Sequence, residues 1–344
     1  MSSTIRFILL AAALFTVALF NIAGAANAKP MTGEQWLQEM SVAADTLNYS
    51  GEFVLVKGGQ LSSLEINHMQ GKGGSLQKIM SLNGSMREII QKEDEIACVL
   101  PDEGMGVKEK KQSKALFNVD VSQNLERISA HYVVEKLGDS RVANRDCKQL
   151  KISAKDQYRY GYLLCIDLET YLLLRSELIG VNEQVLESYM FVDVEFNQLT
   201  ENDFHSGTDA KSLKWMSDQK ADSKAHEDKR LIEAVVEQVT VDQAHSAWTL
   251  QTNPTGFEIE QTIERMSPVL NADITHLVLS DGLAKVSVFI TPAQVSLLKN
   301  EKVDDSIQMG SLNSHIRQID AYNITAIGEV PLDTVKLLAE QVSQ

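Results

Sequence analysis

The sequence predicts an α+β protein, in which a large curled antiparallel sheet packs on helical structure and a smaller α+β domain follows it. Three observations carry this. About ten short strand-like segments succeed one another between Tyr49 and Phe196, joined by turn residues. A charged stretch poor in apolar residues, Glu201 to Arg230, then interrupts the pattern. Mixed strand and helix signals resume near Leu231 and run to the end of the chain.

Residues 1–28 read as a cleavable signal peptide. Met1 to Arg6 carries one cation and no acid, Phe7 to Phe20 is almost wholly apolar, and Ala26-Asn27-Ala28 is a small-x-small cleavage site. The apolar run is shorter than the roughly 20 residues that a membrane span needs. No cysteine near the cleavage site is available for a lipid anchor, so the mature chain is expected outside the cytoplasm in free form. The remaining chain, about 316 residues, exceeds what one core usually serves. The expected division is a large domain over 29–200, a linker over 201–230 and a C-terminal α+β domain over 231–344. The net charge of −15, with no basic block, argues against nucleic acid and against electrostatic adhesion to anionic lipid.

The mature chain opens with a helix. Thr32-Gly33-Glu34-Gln35 reads as a capping box, and Trp36, Met40, Ala43 and Leu47 recur at helical spacing up to Asn48. Strands are expected at 53–56, 63–69, 76–82, 86–90 and 96–100, with Asn83-Gly84 as a hairpin signal. A loop of mixed charge follows. Further strands are expected at 132–137, 142–152, 158–167, 171–179 and 185–196. A sheet of that size curls, either closing on itself or wrapping around something. The Trp36 helix is the candidate filling. In the second domain, strands are expected at 247–252, 257–263, 274–280, 284–290, 311–319 and 324–329. A short helix is expected from Thr291 or Pro292 to Leu298, and a closing helix over 331–342 with Val335, Leu338 and Val342 on one face.

No catalytic constellation emerges. The seven histidines are scattered, no Cys-x-x-Cys occurs, and there is no Gly-x-Ser-x-Gly elbow. Gly71-Lys72-Gly73-Gly74-Ser75 lacks P-loop spacing and reads as a hairpin turn. The expectation is a non-enzyme with no metal and no cofactor. Among the three cysteines, Cys147 and Cys165 face each other if residues 155–157 form a three-residue loop, which would allow a disulfide. The alternative is two small buried residues. Cys98 then lies outside the disulfide and reads as core. Tyr158, Tyr160 and Tyr162 share one face of the expected strand, with Arg159 on the other, as a packed sheet face or a cavity wall.

The chain resembles the RseB/MucB family of regulators of the envelope-stress sigma factor sigma-E. The resemblance covers nearly the whole mature chain. It rests on Leu47-Asn48-Tyr49-Ser50-Gly51, on Arg141-Val142-Ala143-Asn144-Arg145 and on Arg159-Tyr160-Gly161-Tyr162 in the first domain. In the second it rests on Gly256-Phe257, Ser280-Asp281-Gly282-Leu283-Ala284, Val286-Ser287-Val288-Phe289 and Gly328-Glu329-Val330-Pro331. It implies a large domain similar to the LolA/LolB lipoprotein carriers, an unclosed barrel over helices. It also implies a negative regulator that binds the periplasmic region of a membrane anti-sigma factor, RseA/MucA-like, and shields it from proteolysis. Such proteins are taken to be released by mislocalised lipid or lipopolysaccharide. On that implication Phe257, Phe289 and Arg317 are candidate partner-binding residues. Trp36, Tyr160 and Tyr162 are candidates for a lipid cavity. The alternative is a lipid or lipoprotein carrier, and whether the chain forms a homo-oligomer is left open.

Overall fold

A computed structural model describes residues 30–71, 73–92, 95–110, 121–196, 198–216, 248–252, 255–267, 272–294 and 305–344. The expected signal peptide and the segment 217–247 lie outside the described residues, and from Gly33 onward the chain forms one unit. Helix α1 (Gly33–Thr46) buries Trp36, Leu37, Met40 and Ala43 on one side, at the i, i+3, i+4, i+7 spacing of an amphipathic helix. Strands β1 (Tyr49–Lys57), β2 (Gln60–Gly71), β3 (Gly74–Ser81), β4 (Glu88–Lys92) and β5 (Glu95–Leu100) follow as an antiparallel meander. Asn83-Gly84 lies in a longer connection than a two-residue hairpin. The Asn83 side chain accepts from Ser63 N at 2.8 Å and donates to Leu61 O at 3.2 Å, which ties the connection to β2.

The stretch expected to be a mixed-charge loop holds strand β6 (Met105–Lys110) and helix α2 (Val121–His131). The chain continues through β7 (Tyr132–Val142), β8 (Arg145–Ala154), β9 (Gly161–Asp167), β10 (Leu173–Ile179) and β11 (Val185–Glu195). The run 142–152 is not one strand. Ala143 and Asn144 both take positive φ, 48° and 59°, and turn the chain from β7 into β8. That is the backbone a tight two-residue hairpin demands, here without glycine.

Residues 201–216 are not the start of a linker. They form 3-10 turns at Glu201–Phe204 and Ala210–Ser212, then strand β12 (Lys214–Met216), parallel to β6. Phe204 is fully buried, and the Glu88 carboxylate accepts from Ser206 Oγ at 2.5 Å and from Gly207 N. Twelve strands thus form one sheet in the order β12-β6-β5-β4-β3-β2-β1-β11-β10-β9-β8-β7. The sheet is unclosed, and α1 touches β2, β7 and α2. Its main core gathers Tyr49, Phe53, Ile66, Ile79, Tyr189 and Phe191. These aromatic rings meet edge to face, Phe53 lying 5.3 Å from Tyr189 and 5.9 Å from Phe191.

A second sheet has six strands in the order β14-β15-β16-β19-β18-β17: β14 (Glu258–Ser267), β15 (Ala272–Ser280), β16 (Lys285–Pro292), β17 (Ser306–Met309), β18 (Leu312–Ile319) and β19 (Tyr322–Gly328). Strand β13 (Thr249–Leu250) pairs with β20 (Val342–Ser343). Helix α3 (Leu332–Gln341) starts after Pro331 and buries Val335 and Leu338 against Leu277, Val288, Ile324 and Ala326. Thr291 and Pro292 end β16 and do not open a helix. The rest of that expected helix, from residue 295, lies outside the described residues.

Candidate functional site

The two sheets meet along a seam, and the loop between β8 and β9 is its centre. Strand β9 begins only at Gly161, so Tyr158, Arg159 and Tyr160 are loop residues. The Arg159 side chain is 0 % exposed, as is its partner Asp281 in the turn after β15. Nη1 donates to Asp281 Oδ2 at 2.6 Å, Nε to Asp156 Oδ1 at 3.0 Å, and Nη2 to Thr255 O. The guanidinium lies between the Tyr132 and Phe257 rings, its central carbon 5.6 Å and 5.2 Å from their centroids. Asp281 is fully satisfied: Tyr132 Oη also donates to Oδ2 at 2.8 Å, while Leu283 N and Ala284 N donate to Oδ1. A buried pair of this kind needs such complete hydrogen bonding to offset its desolvation.

The seam extends to both sides. Arg127 of α2 pairs with Glu260 at 2.9 Å and donates to Ser280 O. Asn313 Nδ2 donates to Tyr160 Oη at 3.1 Å, and Thr334 Oγ1 to Tyr158 O at 2.8 Å. Lys57 bridges Glu187 at 3.1 Å and Glu329, and Ser311 Oγ donates to Glu187. Glycines allow the backbones to approach. A Cβ on Gly256 (φ +74°) would lie 2.3 Å from the His131 ring, and one on Gly310 (φ +65°) 3.0 Å from Gly58 Cα. Burial, then the nearby Arg159 charge, pushes the His131 pKa below its usual value. Burial first, then the Asp281 charge, pushes the Tyr132 phenol well up. Beside the seam, a cleft of about 270 Å³ is lined by Ile152, Asp156, Arg159, Tyr162, Ile179 and Glu183, among others.

The structure disperses the sequence-named residues. Tyr160 and Tyr162 belong to this seam and its cleft, whereas Trp36 packs against Tyr171, ring centroids 5.2 Å apart and planes tilted by 59°, so the three do not meet in one cavity. Phe257 is buried in the small-sheet core beneath Arg159. Phe289 is buried on the opposite face, stacked 4.2 Å from His276, beside Ile274 and Ile327. Arg317 Nη1 donates to Glu340 O at 3.2 Å. Cys147 and Cys165 are joined by a disulfide, but not across a directly opposed pair. Cys147 faces Asp167 and Cys165 faces Gln149, because the β8–β9 loop is longer than three residues. The sheet twist brings this diagonal to 5.4 Å between Cα atoms. Cys98 is only half-buried. Among the described residues there is no group of His, Cys, Asp and Glu able to hold a metal. Asp281, Tyr132 and Arg127 carry no local sequence signal of the seam, since each reads as an ordinary turn, strand or helix residue.

Comparison with known proteins adds the relationship. The sequence model of the MucB/RseB N-terminal domain matches residues 32–217, and that of the C-terminal domain matches 242–343. The chain belongs to the MucB/RseB family. The first of these matches ends one residue beyond β12, so the family's N-terminal domain takes in the segment 201–216 that packs on the large sheet. The sigma factor AlgU regulatory protein MucB of Pseudomonas aeruginosa is 26% identical over 337 residues, 94% of this chain and 96% of that protein. The sigma-E factor regulatory protein RseB of Escherichia coli is 26% identical over 323 residues, 92% of each chain. A solved Pseudomonas aeruginosa MucA/MucB complex matches 90% of this chain and 98% of its own with a TM-score of 0.65 and 26% identity. A crystal structure of MucB with MucA(peri) gives 0.64 over 91% of this chain. No helix among the described residues is long and apolar enough to cross a membrane.

Proposed function

We propose that this MucB/RseB family chain is a periplasmic regulatory binding protein and not an enzyme. It holds the periplasmic region of a membrane anti-sigma factor, shields it from proteolysis and so restrains a sigma-E-type response. One observation carries the reading. Nine-tenths of the chain, both sheets included, superposes on a 26% identical relative solved with MucA(peri). The seam supports it, because a partner contacting both sheets needs them held in one arrangement, and Arg159 with Asp281 holds them. Lipid or lipopolysaccharide releases the partner by binding the free form more tightly, since linkage is reciprocal.

The test is co-purification of the mature chain with the periplasmic domain of a single-pass anti-sigma factor, with and without lipopolysaccharide fragments. Co-elution that the fragments weaken is expected. Recovery of assorted lipoproteins without the anti-sigma domain would overturn the reading in favour of a carrier.

A further inference from the structure

The outer face of the large sheet is covered unevenly. Over β3 and β4 it carries the 201–216 segment, where Lys78 Nζ donates to His205 O and Glu88 holds Ser206 and Gly207. Over β11, β1 and β2 it leaves apolar side chains exposed among the described residues. Side chains alternate along these strands, so Phe53, Ile66 and Phe191 turn inward while Val54, Val56 and Leu61 turn outward. Val56 and Leu61 are direct cross-strand partners, 37% and 58% exposed. Val192, the extra residue of the β11 bulge, is 55% exposed, and Leu82, whose N–H bonds Ser63 O on β2, is 42% exposed. An antiparallel sheet can face water, but its solvated side is normally polar.

Beside this apolar group runs a row of like charges. Glu52 of β1 is the direct partner of Asp193 on β11 and of Glu65 on β2. Three carboxylates therefore stand side by side on one face, where directly opposed like charges are unfavourable. Among the described residues none of the three has an ion-pair partner. Two cations on the flanking strands β3 and β10 have partners of their own: Lys78 donates to His205 O, and Arg175 lies 3.8 Å from Glu177. Val56 and Leu61 lie four residues along the strands from Glu52 and Glu65, roughly 13 Å, whereas Val192 is next to Asp193.

We propose that this face, β11-β1-β2, is a docking surface for a basic amphipathic segment of a protein partner. Its Lys or Arg side chains neutralise Asp193, Glu52 and Glu65, and its apolar side chains cover Val56, Leu61 and Val192. The charge complementarity selects this occupant. An anionic membrane surface would be repelled by the same three carboxylates.

The test uses the mature chain and a synthetic peptide of alternating Lys and Leu, followed by calorimetry and by hydrogen exchange. The peptide is expected to bind and to protect β1, β2 and β11. The triple variant E52Q/E65Q/D193N should bind roughly tenfold more weakly, with less loss on raising salt from about 0.05 to 0.3 M. Leu61→Ser should also weaken it. The variant E39Q/E135Q/E264Q removes three exposed carboxylates elsewhere and should bind like wild type, which separates the site from overall charge. Equal weakening in both triple variants, protection of other strands, or attachment of anionic phospholipid vesicles through β1 and β2 would each overturn the proposal. Removing opposed carboxylates relieves repulsion, so E52Q/E65Q/D193N should fold at least as stably as wild type.

Discussion

Replacing Arg159 by Met tests the seam most directly. The side chain is fully buried and supplies three donors to three acceptors on both sides of the seam: Asp156, Asp281 and the Thr255 carbonyl. Met fills much of the volume but leaves the Asp281 carboxylate without its cation. Breaking a buried pair by removing one partner costs about 3–5 kcal/mol. Asp281 keeps Tyr132 Oη and two backbone N–H donors, which places the loss near 3 kcal/mol on that same scale. Arg159→Lys should recover only a part, because one ammonium cannot reach three acceptors in a planar fork. Asp281→Asn should behave like the Met variant, since its Nδ2 would face the guanidinium donor to donor. Urea unfolding with intrinsic fluorescence is the assay. Trp248 lies in the small-sheet core and Trp36 on α1, so single-Trp variants report each sheet separately. The small sheet should come away first in Arg159→Met. A loss below about 1 kcal/mol, or full recovery by Lys, would refute the assignment of this pair as the lock.

The disulfide closes a loop of sequence separation 18, and replacing both cysteines by Ala should cost about 3 kcal/mol, read as a lower urea midpoint. Asp167 is buried, which raises its pKa, but the Arg145 hydrogen bond at 2.5 Å and backbone donors from Thr170 and Glu169 outweigh this and hold it below the usual carboxylate value. Its folded pKa is depressed, so its contribution is present above an unfolded value of about 4 and is lost as pH falls below that toward the folded value. Arg145→Ala should flatten the loss of stability in that acid window, measured as urea midpoints against pH. An unchanged slope would show that Arg145 does not govern this titration. Gly256→Ala places a Cβ into the His131 ring at a left-handed φ, and should cost about 1–3 kcal/mol. The companion His131→Ala should restore part of it in a double-mutant cycle, and no restoration would sever the contact from the cost.

The sequence shows the fold where one residue type has one structural use. The Trp36, Met40, Ala43 spacing reads as a helix, and the strand runs from Tyr49 to Lys92 are separated by connections that contain glycine. It misleads where tertiary contacts decide. Tyr158-Arg159-Tyr160 alternates like a strand, yet Arg159 finds its acceptors on another sheet and holds the segment as a loop. That longer loop also shifts the β8–β9 register, so the two cysteines meet along a diagonal. Residues 201–216 look like a linker in composition, but Phe204 and the Glu88 carboxylate anchor them to the large sheet. Helix α2 escapes notice because its charged face hides a short apolar stripe in which Ile128 is fully buried. Phe257 and Phe289 attract attention as aromatics of the second domain, but burial makes them supports of the small sheet in the free chain.

The polar character of the seam follows from what it must hold. An apolar seam of equal area would be less costly to desolvate but would tolerate sliding, because dispersion has no direction. Arg159 satisfies Asp156, Asp281 and Thr255 together in this arrangement, and the Gly256–His131 and Gly310–Gly58 approaches are so close that an added Cβ would clash. Stability is thereby exchanged for a single relative placement of the two sheets, the use for which buried ionic groups are best suited. The outer face of β11, β1 and β2 carries the opposite arrangement, with three carboxylates left without a cation among the described residues. Charges are satisfied where the chain must hold its own parts together, and left unsatisfied on the face proposed to receive a second protein.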